Sequence, residues 1–146
     1  MNPGEIDASV IRRHLFALDQ ALQTLRRHQG RSLDALRSDI EERWAVERGL
    51  QLCAQSALDA ATHIAASAGR DVPDYATAIE QLADLEILPV EFANRFRAVA
   101  GFRNVIVHAY LEVDLEAVHR VLNEHLDDFA EFARRVSHYL DTRHTP

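Results

Sequence analysis

Lysine is absent from this chain of 146 residues, and all 16 basic side chains are arginines. That excludes Schiff-base chemistry, a phosphate-loop lysine and any mechanism that uses a lysine base. Cysteine occurs once, as Cys53, so no intrachain disulfide can form and a reducing cytoplasm is the expected setting. No uncharged apolar run approaches the ~18 residues of a membrane span, and the Met1–Glu5 stretch has neither the basic nor the apolar region of a secretion signal. Positive charge is in deficit. The 16 basic residues face 23 acidic ones, a net charge of −7, which argues against broad adhesion to a nucleic-acid backbone. Only a local cationic site is left open. Eight histidines are present, none of them paired at the i, i+4 spacing of a helical metal site. With no cysteine cluster either, neither a metal nor a cofactor is expected. The chain also lacks G-x-S-x-G, P-loop and G-x-G-x-x-G motifs.

What is present reads as one globular domain over residues 1–146. Hydrophobic residues make up 47% and charged residues 27%, and a chain of this length buries about two-thirds of its unfolded surface. Five glycines and four prolines leave long uninterrupted segments between them. Ile6, Val10, Ile11, Leu15, Leu18, Leu22 and Leu25 step by three and four, the spacing of one helix face, and Gly30 lies just past the end of that helix. Ser32 is suited to cap a second helix striped by Leu33, Leu36, Ile40, Trp44, Leu50, Ala54, Ala57, Ala61 and Ile64. Unbroken to Ala68 it would run roughly 36 residues, or ~55 Å, with Gly49 as a place to bend. Its second half is rich in alanine and invites close helix approach. A loop at Gly69–Asp74 precedes a short helix over Tyr75–Leu85. Pro89 then opens a fourth helix striped by Phe92, Phe96, Val99, Phe102 and Val107. Asp114 caps the last, striped from Leu115 to Leu140. No strand alternation occurs. The fold class is all-α, with five helices, and the long second helix and the last helix are expected to form an antiparallel core.

Most titratable residues read as solvated faces, Glu41, Glu42, Asp127 and Asp128 among them, and Cys53 reads as an inert core thiol. The segment Gly101–Tyr110 differs. Arg103, Asn104, His108 and Tyr110 gather on one helical ridge, with Asn104 and His108 four apart and Arg103 and Tyr110 seven apart. Val105 and Ile106 are left to face the core. On residue chemistry alone two readings stay open: a buried polar network that locks helix packing, or a reactive site.

Arg103-Asn104-Val105-Ile106-Val107-His108-Ala109-Tyr110 fits R-N-x-x-x-H-x-Y, and with Phe102 before it the segment resembles the signature of HEPN-domain proteins of the HepT type. Ala45–Arg48, Gln55–Asp59 and His63 resemble that family's long second helix, and Tyr75–Ile79 with Leu82-Ala83 its short third helix. The likeness runs from about Asp7 to Val136. It implies a five-helix HEPN-type bundle that forms a homodimer around the motif ridge. It further implies a ribonuclease toxin of a type VII toxin–antitoxin pair, partnered by an MntA-type nucleotidyltransferase antitoxin. By the resemblance, Arg103 and His108 are catalytic, Asn104 supports them, and Tyr110 accepts AMP from the partner. The alternative is a non-catalytic HEPN module that binds a nucleotide or the partner nucleotidyltransferase. The activity is chemically reasonable without metal. An RNA 2′-OH can attack its adjacent phosphate, with histidine moving the proton and arginine matching the charge that builds on phosphate oxygens.

Overall fold

A computed structural model describes residues 7–107 and 114–143. Among these the chain is entirely helical: α1 (Ala8–Arg26), α2 (Leu33–Ser38), α3 (Ile40–Ser67), α4 (Tyr75–Asp84), α5 (Val90–Phe96), α6 (Ala98–Val107), α7 (Leu115–Arg120), a π turn (Val121–His125) and α8 (Leu126–Arg143). None of the described helices is long and apolar enough to cross a membrane. The all-α expectation holds, and the periodicity located each helical region, but three of the five expected helices are subdivided.

The second helix breaks at Asp39 rather than bending at Gly49. Asp39 takes an extended backbone (φ −114°, ψ 98°) and its carboxylate accepts the Glu42 N–H at 3.1 Å, so it closes α2 and caps α3. Aspartate does this readily because its short carboxylate satisfies an orphan N–H of the first turn. The fourth helical region divides at Arg97, where the ladder tightens to a bond from the Ala100 N–H to the Arg97 carbonyl at 3.1 Å. In the last region, the π turn falls where the loop after α1 docks. Asn123 accepts the Gly30 N–H at 2.7 Å and donates to the His119 carbonyl at 3.0 Å, while Gln29 donates to the Leu122 carbonyl at 3.2 Å. Side chains that claim carbonyls of a helix ladder favour such widened turns. Gly30 itself sits at φ 90°, a conformation glycine adopts without strain.

The core is centred on α3, but its main partner is α1, not the last helix, with which α3 makes only limited contact. Ile11, Leu18, Leu22 and Leu25 of α1 are buried together with Val46, Leu50, Cys53, Ala57 and Ile64 of α3. The alanine-rich half of α3 is what the sequence suggested: Ala54, Ala57, Ala60, Ala61 and Ala65 are fully buried, and α4 and α6 pack on α3 as well. The last helix lies antiparallel on α1 instead, tied at both ends by Arg12–Asp141 and Arg26–Asp127, each 2.8 Å. Phe96 links α5 to α8, stacking on Phe92 and Phe132 at 5.1 Å and meeting Phe129 edge-on at 5.6 Å. These aromatic contacts add to plain area burial.

Glu42 and Asp128 correct the reading of solvated charge. The Glu42 side chain is only 11% exposed, because the loop after α1 folds back and sets Arg31 Nε at 2.8 Å and His28 Nδ1 at 3.1 Å from its carboxylate. Asp128 is drawn inward by Arg95 at 3.2 Å and His125 at 3.5 Å.

At Gly49, α3 packs tightly against Leu25 of α1. A Cβ there would stand 2.7 Å from Leu25 Cδ2 and 2.9 Å from Leu25 Cγ. Gly49→Ala gains about 1 kcal/mol of helix propensity, yet overpacking a filled core costs about 1–3 kcal/mol. The expected result is lower stability in urea unfolding. Because both changes act on one contact, Gly49→Ala combined with Leu25→Ala should cost less than the two single losses added together.

Candidate active site

Three helices build the face that carries the motif. Arg103 and Asn104 lie on α6, which packs against both α3 and α4. α3 presents Gln55 and Asp59 one turn apart, and α4 presents Tyr75 as its first residue. Tyr75 is fixed in place by the Asp74 cap, whose carboxylate accepts the Thr77 N–H at 2.8 Å.

The side chains of Arg103, Gln55, Asp59 and Tyr75 meet. Arg103 Nε donates to Gln55 Oε1 at 2.9 Å, and its Nη1 donates to Asn104 Oδ1 at 3.3 Å. The Arg103 guanidinium carbon lies 5.4 Å from the centroid of the Tyr75 ring, over its face, within the range of a cation–π contact. Gln55 Nε2 donates to Asp59 Oδ1 at 2.8 Å and to the Tyr75 hydroxyl at 3.1 Å, while the Tyr75 hydroxyl donates to Asp59 Oδ1 at 3.4 Å. All four side chains are half-buried, and Asn104 is exposed. Among the described residues no carboxylate forms an ion pair with Arg103.

Arg103 and Asn104, neighbours in sequence on α6, are joined by the 3.3 Å contact. His108 and Tyr110 lie outside the described residues. Ile106 is buried as expected, but Val105 is 42% exposed. The reason is the face on which α6 packs: Phe102 and Ile106 turn toward the core, and Val105, three residues beyond Phe102 and one before Ile106, lies off that stripe. Gln55, Asp59 and Tyr75 entered the sequence reading only as parts of segments resembling the family. The one local signal was the polar pair Gln55 and Asp59, i and i+4, within an alanine-rich helix. Among the described residues no three His, Cys, Asp or Glu side chains converge as a metal-binding group.

An all-helical bundle that carries the R-N-x-x-x-H-x-Y segment, its arginine without a carboxylate partner among the described residues, has the features of HEPN-type helical proteins. The model of the family described as ribonuclease HepT-like matches residues 18–136. The chain belongs to this HepT-like ribonuclease family. It is 30% identical over 139 residues to the "tRNA nuclease HepT" of Aphanizomenon flos-aquae, covering 94% of each chain. It is also 30% identical over 84 residues to the "mRNA nuclease HepT" of Shewanella oneidensis, covering 57% of this chain and 63% of that one. The fold matches that of the tri-AMPylated Shewanella oneidensis HEPN toxin in complex with MNT antitoxin, with a TM-score of 0.76 at 22% identity over 88% of this chain and 97% of that one.

Cys53 stands apart from this face and behaves as the sequence suggested. It is fully buried, and burial pushes its thiol up to about 12. A nucleophilic cysteine needs the opposite, a thiolate stabilised near neutral pH. Iodoacetamide at pH 8 should leave the native protein unmodified, and intact-mass measurement should show a single adduct only after denaturation.

Proposed function

We propose that this chain is the toxin of a toxin–antitoxin pair. In this reading it is a metal-independent endoribonuclease that works as a cytoplasmic homodimer and is silenced by AMPylation of Tyr110. The observation that carries the proposal is Arg103: half-buried, held at Nε by a neutral amide, and free of carboxylates among the described residues. The names of its relatives, which are nucleases of tRNA and of mRNA, support RNA as the substrate. The AMPylated toxin bound to MNT antitoxin supports a nucleotidyltransferase partner.

The chemistry follows from the residue types. The substrate 2′-OH attacks the neighbouring phosphorus and the 5′-oxygen leaves, giving a 2′,3′-cyclic phosphate. His108 takes the proton from the 2′-OH, or returns one to the 5′-oxygen, because imidazole is poised between both states near neutral pH. Arg103 stabilises the charge that grows on the phosphate oxygens. One histidine cannot be base and acid in the same step, so a composite site across a two-fold axis supplies the second. Two motif ridges also concentrate positive potential within a chain of net charge −7. The helices that carry the site also expose apolar side chains to such an interface. Trp44 (59% exposed) and Leu52 lie on the flank of α3 that leads to Gln55, Val105 is exposed on α6, and a Cβ at Gly101 would touch nothing.

Expression in a host lacking the partner tests the activity. Wild type should arrest growth and fragment RNA, while Arg103→Ala and His108→Ala should each lower cleavage by about 100-fold or more and keep full helicity by circular dichroism. Asn104→Ala should lose less, and EDTA should change nothing. A His108→Ala variant that still cuts, or a protein that sediments as a monomer at micromolar concentration, overturns the composite site.

Regulation has its own test. AMP on Tyr110 would add bulk and phosphate charge where substrate phosphate must bind. Co-expressed with the cognate nucleotidyltransferase, wild type should gain the mass of one or more AMP groups. Tyr110→Phe should stay unshifted, remain toxic and escape neutralisation. Adducts mapped to Tyr75 or Tyr139 would refute the assignment to Tyr110.

A further inference from the structure

We infer that Gln55 is a positioning residue for Arg103, an amide relay anchored by Asp59 and Tyr75 that aims the guanidinium while leaving its charge unspent. The inference rests on the ribonuclease reading above and adds residues outside the motif to the site.

Hydrogen-bond arithmetic requires at this point a group that both accepts and donates, and an amide does so. Arginine only donates and an ionised carboxylate only accepts, so a group set between them must accept on one side and donate on the other. Gln55 does both, accepting from Arg103 Nε at 2.9 Å and donating to Asp59 Oδ1 at 2.8 Å. The opposite amide orientation would set Nε2 against the Arg103 donor and Oε1 against the carboxylate, so the network permits one orientation only. Tyr75 closes the triangle. Its hydroxyl accepts from Gln55 Nε2 and donates to Asp59, and its ring lies beneath the guanidinium. Three separate helices thus fix one side chain, and Gln55 and Asp59 keep their spacing because both ride on α3.

The electrostatic consequence is specific. A carboxylate in direct contact with Arg103 would orient it equally well but would neutralise the charge that a phosphate needs. Moving the acid one side chain away, to Asp59, keeps the orientation and weakens the pairing. With Nε committed to Gln55, Nη2 has no partner among the described residues and Nη1 has only the long contact to Asn104 at 3.3 Å. That terminal edge is the one presented to an incoming phosphate, in the planar geometry phosphate prefers.

The test uses the purified full-length protein, unfractionated transfer RNA as substrate, and the side-chain N–H resonance of Arg103 Nε, assigned by its loss in Arg103→Lys. In wild type this resonance should exchange slowly with solvent. Gln55→Ala should abolish the protected resonance and lower kcat by about 10- to 100-fold, the scale on which a misplaced catalytic group is felt. KM should change by less than about threefold and the melting temperature should hold. Gln55→Glu still accepts from Nε, so the resonance should persist, but the added charge should raise KM at least about tenfold. A Gln55→Ala enzyme with wild-type kcat, or with the protected resonance intact, overturns the relay. So does a Gln55→Glu enzyme with wild-type KM. A wild-type protein that cuts no RNA overturns the ribonuclease reading instead, and the resonance in Gln55→Ala then decides by itself whether Gln55 holds Arg103.

Discussion

The close packing around the alanine-rich half of α3 is the constraint on which the remainder of the molecule depends. Fully buried Ala54, Ala57, Ala60, Ala61 and Ala65 take up little space, so α1, α4 and α6 can all approach one helix. Larger side chains at those positions would push the neighbours outward by the width of a side chain. The cost would appear as lost packing enthalpy, since interiors tolerate few voids. It would also appear at the site. The Arg103–Gln55 bond spans α6 to α3 and the Tyr75–Asp59 bond spans α4 to α3, at 2.9 and 3.4 Å. Hydrogen bonds weaken steeply beyond such distances, so the small residues of the core set the geometry of polar groups at its edge.

Charge is organised by the same economy. Many of the described arginines are paired on the surface, for example Arg70 with Asp84 at 2.6 Å and Arg97 with Glu80 at 2.7 Å. Pairs this exposed contribute little to stability, about 0–1 kcal/mol each, but each one spends a positive charge. Arg103 is held by different means, through an amide and an aromatic face. In a protein with an excess of seven negative charges, that difference sets Arg103 apart from the arginines paired with carboxylates. Asp59 shows the same distinction from the acidic side: it anchors Gln55 and Tyr75 and forms no direct ion pair with Arg103.

The helical class, the caps at Ser32, Asp74 and Asp114, and the inert Cys53 were all legible in the sequence, because each depends on residues within a turn or two of one another. Asp39 was not. It sits inside an apolar stripe that continues on both sides, and a stripe reports which face is buried without reporting whether the backbone is unbroken. The pairing of Glu42 with Arg31 and His28 was hidden for another reason: it depends on a loop reversal, and adjacent acids look solvated until a partner is folded onto them. Arg103 and Asn104 were singled out by the motif. The Gln55 bond to Arg103 joins residues 48 positions apart, and no local pattern encodes such a contact.

Those two kinds of legibility correspond to two tasks in the site. In the proposed function the motif supplies the reactive groups, and their identities are fixed by chemistry that a short pattern can carry: a fork of donors, an imidazole, a phenol. Positioning is supplied by residues whose identity is fixed only by what they stand between. An asparagine at position 55 would carry the same amide on a shorter arm, and a glutamate the same reach with an added charge, so the location selects glutamine by length and by neutrality together. This explains why the reactive groups can be compressed into eight consecutive residues while their support is spread over α3 and α4. Gln55, Asp59 and Tyr75 add what Asn104 cannot, because a side chain on α6 moves with Arg103, whereas α3 and α4 fix the guanidinium relative to the rest of the fold.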